Sequence, residues 1–214
     1  MRKSTRGKVL PFDYPFTDAR SAAAFETLFT GLQKFNPNLT EPVMSDIATP
    51  CIHVMFKPNE IILDYGEICE YVYFAINGLV TSLEKEDGKE FNCWFMSDGD
   101  VIIAIDSFFM QHRSTERLVA LASTECIALH VEDLNMLREK HPSFAFLELM
   151  LTRYYYQQTF NRTKWLRKDV KGKYKMLKTH YPELTQQVTR SALASYLGVS
   201  REHLSKIVQE EIAE

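Results

Sequence analysis

Thr189-Arg-Ser-Ala-Leu-Ala-Ser-Tyr-Leu-Gly-Val-Ser-Arg-Glu-His-Leu-Ser-Lys-Ile-Val208 divides into two short helices around Gly198. Thr189 stands as an N-cap before the first helix and Ser200, after Val199, before the second. Their hydroxyls can accept from backbone N–H groups left open at a helix start. Leu193, Ala194, Leu197, Leu204 and Ile207 recur at a spacing that lets the two helices bury apolar faces against each other. Ala194 is small where they cross, and Gly198 accepts the positive φ that the turn requires. Arg201, Glu202, Ser205 and Lys206 fall on the outward face of the second helix. Side chains of this kind reach base edges and phosphates when a helix enters a major groove. The stretch predicts a helix-turn-helix with double-stranded DNA as its partner. The competing reading is an ordinary helical hairpin with a solvated charged face.

Charge supports the first reading once it is divided along the chain. The 214 residues carry a net charge of −3. Residues 1–149 hold 13 Lys/Arg against 22 Asp/Glu, and residues 150–214 hold 12 against 6, so an acidic segment of net −9 precedes a basic one of net +6. An acidic module joined to a phosphate-facing one gives this polarity. Apolar content of 45% and charged content of 25% are those of a globular protein. Cys51, Cys69, Cys93 and Cys126 are widely spaced, which argues against a clustered zinc or iron–sulfur site and for small buried residues. No cofactor is expected. The basic start, Met1 to Lys8, has no apolar stretch after it, and no run approaches the ~18–20 apolar residues of a membrane span. These features predict a cytoplasmic protein with no membrane partner.

Between Cys51 and His130 short β-rich runs alternate with turns. Strands are predicted over 52–56, 61–63, 72–76, 79–84, 91–96, 117–122 and 125–130. Asn77-Gly78 and Asp87-Gly88 between apolar runs are hairpin signals, and Asp98-Gly99-Asp100 is a further turn. The even spacing predicts a compact antiparallel barrel or roll. Helical patterns flank it over 22–35, 40–48 and 131–140. After the break at His141-Pro142, a long helix runs from about Ser143 to Arg167. Its heptad-like residues Phe144, Leu147, Leu151, Tyr154 and Trp165 can bury against the domain or against a second copy, and a two-fold dimer is favoured. Asp169 then caps the next helix and marks a hinge. The predicted class is α+β, with an irregular arm over 1–20, a β-roll effector domain with flanking helices over 21–142, a dimerisation helix over 143–168 and a helix-turn-helix domain over 169–214.

This order of roll, long helix, hinge and terminal helix-turn-helix resembles the Crp/Fnr family of bacterial transcription regulators. The resemblance covers about residues 45–208. It is carried by the turn glycines Gly66 and Gly78, by Gly99-Asp100 opening the ligand cassette, by Asp169-Val-Lys-Gly-Lys173 at the hinge, and by Val188-Thr-Arg, Leu-Gly-Val-Ser-Arg-Glu and Lys206 in the DNA-reading unit. The form Ala-Ser-Tyr-Leu-Gly-Val-Ser most resembles members from the Bacteroidetes. The resemblance implies a cyclic-nucleotide-binding-like jelly roll and a homodimer on a pseudo-palindromic site, with RNA polymerase as a further partner. It also implies base or phosphate contacts by Thr189, Arg190, Ser200, Arg201, Glu202, Ser205 and Lys206. Lys206 stands where the family often has arginine, and a lysine there makes a less selective, more electrostatic contact.

Two departures limit what is carried over. The chain runs only six residues past Val208 and ends in an acidic stretch, so the family's small β wing is expected to be lacking. Cyclic-nucleotide binders of the family pair Gly-Glu for the ribose with Arg-Ser for the phosphate, whereas Ile103-Ala104 stands near the first place and Ser114-Thr115 or Thr115-Glu116 near the second, with Arg113 slightly displaced. An apolar run lacks the ribose acceptor, so a small effector other than cyclic AMP, or none, is expected, and Val101 to Ile105 read as core. The candidate effector pocket is Ala104, Ile105, Arg113, Ser114, Thr115 and Thr159. A ligand-sensing or protein-interaction module that has lost DNA binding is the alternative. An enzyme is not expected, because the six histidines form no i, i+4 metal pair and neither a P-loop nor a nucleophile-elbow pattern occurs. His53 and His130 read as satisfied structural residues.

Overall fold

The structure, a computed structural model, describes residues 8–9, 14–15 and 19–213, with side chains described over 19–211. Most of the arm predicted over residues 1–20 lies outside the described residues. Within it, β1 (Lys8–Val9) and β2 (Tyr14–Pro15) pair antiparallel. The chain forms two compact units, one of residues Met1–Ser82 with Phe95–Thr152, the other of Leu83–Trp94 with Arg153–Glu214. The division falls inside the long helix rather than at its ends, and a stretch of sheet hairpin belongs to the second unit.

The first unit begins with α1 (Ala19–Phe35) and α2 (Glu41–Ala48). Strands β3 (Ile52–Phe56), β4 (Ile61–Leu63), β5 (Tyr71–Asn77), β6 (Leu79–Glu86), β7 (Lys89–Ser97) and β8 (Val101–Ile102) follow. After the short helix α3 (Ile105–Met110) come β9 (Glu116–Ala120), β10 (Thr124–His130), α4 (Val131–Lys140) and the start of α5 (Pro142–Trp165). The strands make two four-stranded sheets, ordered β3-β10-β5-β8 and β4-β9-β6-β7. β10 lies between β3 and β5, with Ile127 opposite His53 on one side and Phe74 on the other. Every residue of β10 is buried, because the roll interior takes one of its faces while α1 and α4 pack against the strand. Ala75, Val80, Leu118, Ala120 and Cys126 are fully enclosed, and burial pushes the Cys126 thiol up to about 12.

The turn signals behave unequally. Asp87-Gly88 joins β6 to its sheet neighbour β7 as a hairpin. Asn77-Gly78 does not make the hairpin its sequence suggests, because β5 and β6 belong to different sheets. It is a corner, with Gly78 at φ 124° and its α-carbon pressed on Thr124 so closely that a Cβ would lie 2.6 Å from that residue's Cα. Local turn chemistry is the same in both cases, and tertiary packing decides which sheet the next strand joins. The predicted core run is also shorter than expected. Ile102 is buried, but the chain then turns into α3, which the sequence pattern left as an interruption.

Polar pins fix the helices to the roll. The buried Glu125 carboxylate accepts from Arg20 Nε (3.0 Å) and Nη2 (2.6 Å) and is bridged by His53 Nε2 at 2.7 Å. His53 Nδ1 lies 3.0 Å from Ser21 Oγ, so one carboxylate ties α1 to both strands. Arg20 first, and His53 second, hold this carboxyl below its ordinary value against the opposing effect of burial. His130 accepts from the Glu132 N–H and caps α4. Both histidines therefore have the structural bonds expected of them. On α5, Phe144 and Leu147 bury in the first unit, as the heptad reading allowed.

The second unit takes the end of α5, then α6 (Val170–His180), α7 (Leu184–Gln187), α8 (Arg190–Leu197) and α9 (Arg201–Ala213). Asp169 caps α6 as predicted, accepting from the Gly172 N–H at 2.9 Å. Trp165 packs within this unit, its ring centroid 4.7 Å from that of His180. Among the described residues no helix is long and apolar enough to cross a membrane.

Candidate nucleic-acid interface and roll cleft

α8 and α9 form the predicted pair. Thr189 Oγ1 accepts from the Ala192 N–H at 3.3 Å, and Ser200 Oγ accepts from the His203 N–H at 3.2 Å. Between the helices, Gly198 sits at φ 61° with its N–H bonded to Ser195 O, while the Val199 N–H reaches Ala194 O. Those two bonds are the Schellman closure, which needs a left-handed residue where this glycine stands. Leu193, Ala194, Leu197 and Leu204 bury as expected. Ile207 is only half-buried, and Val208 with Tyr196 takes the deeper positions. The burial stripe on α9 thus steps by four, from Leu204 to Val208, where the sequence reading stepped by three.

The predicted contact residues lie on the outside. Thr189, Arg190, Ser200, Arg201, Glu202 and Lys206 are exposed, and Ser205 is half-buried. Lys206 Nζ stands 3.9 Å from Glu210 Oε1 one turn further on, a loose surface pair that leaves the ammonium available. The N-terminal turn of α9 therefore presents Ser200, Arg201 and Glu202 together. Arginine can bond guanine O6 and N7 at once, and glutamate can accept from cytosine N4.

Sequence reading missed how α8 is held. Its final carbonyls receive cations from neighbouring elements of the same unit: Arg162 Nη2 donates to Tyr196 O at 2.9 Å, and Lys173 Nζ to Leu197 O at 3.0 Å. Cations are favoured there because the helix dipole and the open carbonyls both end at that point. The Arg162 guanidinium also lies 4.3 Å from the Tyr196 ring centroid. Burial raises the Tyr196 phenol above its ordinary value, with Arg162 opposing. From the β6–β7 hairpin, the Asn92 N–H donates to Ser195 Oγ at 2.9 Å. At the far end of α9, Lys178 Nζ meets Glu211 Oε2 at 2.6 Å, and that carboxylate raises the Lys178 ammonium above its usual value. The clue in the sequence was the run of lysines through α6, readable as charge but not as caps.

A cleft of about 510 Å³ opens in the first unit, lined by Leu63, Gly66, Glu67, Tyr71, Tyr73 and Arg113 among others. Its rim is fastened by backbone bonds between two loops, Gly66 N–H to Ser114 O and Ser114 N–H to Glu67 O, and by Arg113 Nη1 donating to Gly66 O at 2.7 Å. Of the six predicted pocket residues, only Arg113 lines this cleft. Ala104 is 1% exposed and closed inside the core, while Ile105 is 58% exposed on α3. The Ser114 hydroxyl is buried and donates to Glu116 O. Thr115 is exposed, and Thr159 on α5 donates to its own helix at Tyr155 O. The chain enters α3 at Ile105, with Ala104 as the N-cap, so the two neighbours face opposite environments, which a reading of the stretch as one continuous core run did not anticipate.

Residues 53–141 match the cyclic nucleotide-binding domain family. No curated protein matches the chain. Among solved structures, FixK2 from Bradyrhizobium japonicum is 20% identical with a TM-score of 0.61, covering 75% of this chain and 83% of its own. CLP, the c-di-GMP responsive global regulator of Xanthomonas campestris, is 16% identical with a TM-score of 0.62, covering 81% of this chain and 92% of its own. A putative transcriptional regulator of the Crp/Fnr family from Eubacterium rectale is 14% identical with a TM-score of 0.62, over 81% of this chain and 84% of that one. The fold is therefore one shared with Crp/Fnr regulators.

Proposed function

We propose that this chain, whose residues 53–141 match the cyclic nucleotide-binding domain, is a homodimeric transcription regulator of the Crp/Fnr type that reads DNA with α9. The observation that carries the reading is the α8–α9 pair: two capped helices closed by a left-handed glycine, with Ser200, Arg201 and Glu202 exposed at the start of the second. Dimerisation through α5 is supported by a stripe that the fold leaves uncovered. Phe146, Leu149, Tyr156 and Phe160 are between 46% and 70% exposed and follow one another at steps of three, seven and four, the spacing of a helix–helix seam. These are not the residues of the predicted seam, two of which the first unit buries for itself.

The effector is a small molecule other than cyclic AMP, received in the cleft beside Arg113. Arg113 supplies a charge-assisted donor for an anionic group, and Tyr71 and Tyr73 supply flat apolar walls. Regulation then requires that the effector prefer one of two arrangements of the dimer.

Fluorescence anisotropy with duplexes selected from genomic fragments tests the reading. Arg201→Ala is expected to cost about 1–3 kcal/mol and to relax selectivity at a single base pair. Absence of binding to any fragment at low salt would refute DNA recognition and favour a ligand-sensing module with no DNA partner.

A further inference from the structure

The sheet β3-β10-β5-β8 has two faces, and β5 sends alternate side chains to each. Tyr71 and Tyr73 line the cleft beside Arg113. Val72 and Phe74 point the other way and line a second cavity, of about 110 Å³, with Tyr73 bordering both. Phe74 is pressed on α1 so closely that a Cβ on Gly31 would lie 2.5 Å from its Cζ. The remaining walls include Leu28 and Leu32 of α1, Leu134 of α4, Phe144 and Leu147 of α5, and Ile127 of β10, all of them buried. The cavity thus lies wholly in the first unit, between the helices and the outer face of the sheet.

The chemistry of the wall selects what it can hold. Cys51 contributes a thiol that burial pushes above its ordinary value, so it stays neutral. Glu148 is the one carboxylate among the lining residues, and its side chain is 20% exposed, which puts it at the mouth. Its two oxygens accept from Arg138 Nε and Nη2, each at 2.8 Å, so this pair joins α4 to α5 and each charge satisfies the other. Further in, the side chains are aliphatic and aromatic. Water needs two to four polar partners to be held, and a wall of this kind does not supply them. A charged molecule would lose its hydration there with nothing to replace it. An apolar cavity of about 150 Å³, by comparison, takes up benzene or xenon.

We propose that this cavity binds a small neutral aromatic molecule, one ring in size, between α1, α4, α5 and the outer face of the sheet. The site is separate from the cleft beside Arg113. It goes beyond the proposed function and does not depend on DNA binding.

Methyl NMR of the full chain tests the assignment, with toluene as the probe and benzoate as its charged counterpart. Toluene is expected to bind with a dissociation constant of about 1 mM or below. It should give intermolecular Overhauser contacts to the methyl groups of Leu28, Leu134 and Leu147, and benzoate should give none. Leu151 lines the cavity from a half-buried position, so Leu151→Trp places a larger ring in the space and should weaken toluene binding about tenfold or more. Where circular dichroism shows that variant unfolded, the Overhauser contacts in the unaltered chain decide the matter alone. Three results overturn the assignment: no binding of toluene, binding of benzoate as tight as that of toluene, or contacts to the Tyr71 ring in place of the three leucines. None of them bears on DNA recognition.

Discussion

Replacing Gly78 with alanine separates what the fold demands at its corner from what glycine does at an ordinary turn. At φ 124°, Gly78 occupies backbone that L-residues rarely adopt, which costs about 1–3 kcal/mol when a side chain is added. The new Cβ would also lie 2.6 Å from both the Cα and the Oγ1 of Thr124, and 2.8 Å from its Cβ. Thr124 is fully buried on β10, and its hydroxyl accepts from the Leu79 N–H, so the backbone there has nowhere to retreat. Moving a packed main chain adds about 1–3 kcal/mol, as overpacking does elsewhere. The total of about 2–6 kcal/mol is a large part of a typical 5–15 kcal/mol stability. Gly88→Ala is the matched control, since that residue has φ 77° but nothing within 4 Å of the added carbon. It should lose only about 1–2 kcal/mol. Urea unfolding followed by circular dichroism, with hydrogen exchange at β10 amides to isolate the roll, reads both variants. Should Gly78→Ala lose no more than Gly88→Ala, the close approach to Thr124 is not a constraint and the corner has been misread.

Acid should weaken the first unit through Glu125. Its carboxyl is held below the ordinary value of 4.5, chiefly by Arg20 and then by His53, so the folded state binds that proton less readily than the unfolded state. The stabilisation is present above about pH 4.5 and is lost as pH falls through the folded value. Arg20→Gln is expected to move the onset of acid unfolding, followed by circular dichroism, to higher pH; an unmoved onset would assign the acid sensitivity elsewhere. For the α5 stripe, Leu149→Glu places a carboxylate in the uncovered apolar row and should cost about 2 kcal/mol or more of association, a shift of roughly thirtyfold in dimer Kd. Sedimentation equilibrium measures it, and a dissociation constant equal to that of the unaltered chain removes this stripe from the interface.

Legibility followed locality. The strands 52–56 and 61–63 and the helix 131–140 end where alternation and capping residues place them, because each boundary is set by its own side chains. Thr189, Gly198, Ser200 and Asp169 were readable for the same reason: a cap acts on amides two or three residues away. What escaped is what depends on distant chain. Asn77-Gly78 carries a hairpin signal, yet Thr124, 46 residues on, fixes it as a corner between sheets. The cleft is closed by Gly66 meeting Ser114, so its lining comes from two separated loops and no single stretch announces it. On α5 the apolar periodicity was visible, but several stripes were available, and only the packing of Phe144 and Leu147 shows which one the chain consumes and which it leaves bare.

On the proposed reading, the near-neutral α9 and the basic stretch 153–178 also bear on how selectivity and affinity are related. A recognition helix crowded with lysine and arginine attracts every duplex, so base discrimination must overcome a large unspecific term. On the proposed reading, α9 offers Arg201 beside Glu202, a pair whose charges cancel at long range and act only where each meets its own base edge. On the same reading, the long-range attraction is expected from residues 153–178, which hold nine Lys/Arg against one Asp. Lys178 on Glu211 of α9 and Lys173 on Leu197 of α8 fasten that charge to the helix pair within one unit, so placing one places the other. Salt then tunes how tightly the protein holds any duplex, while substitutions at Arg201 or Glu202 tune which duplex it prefers. Those two responses should vary independently only if the charges that produce them sit on separate elements.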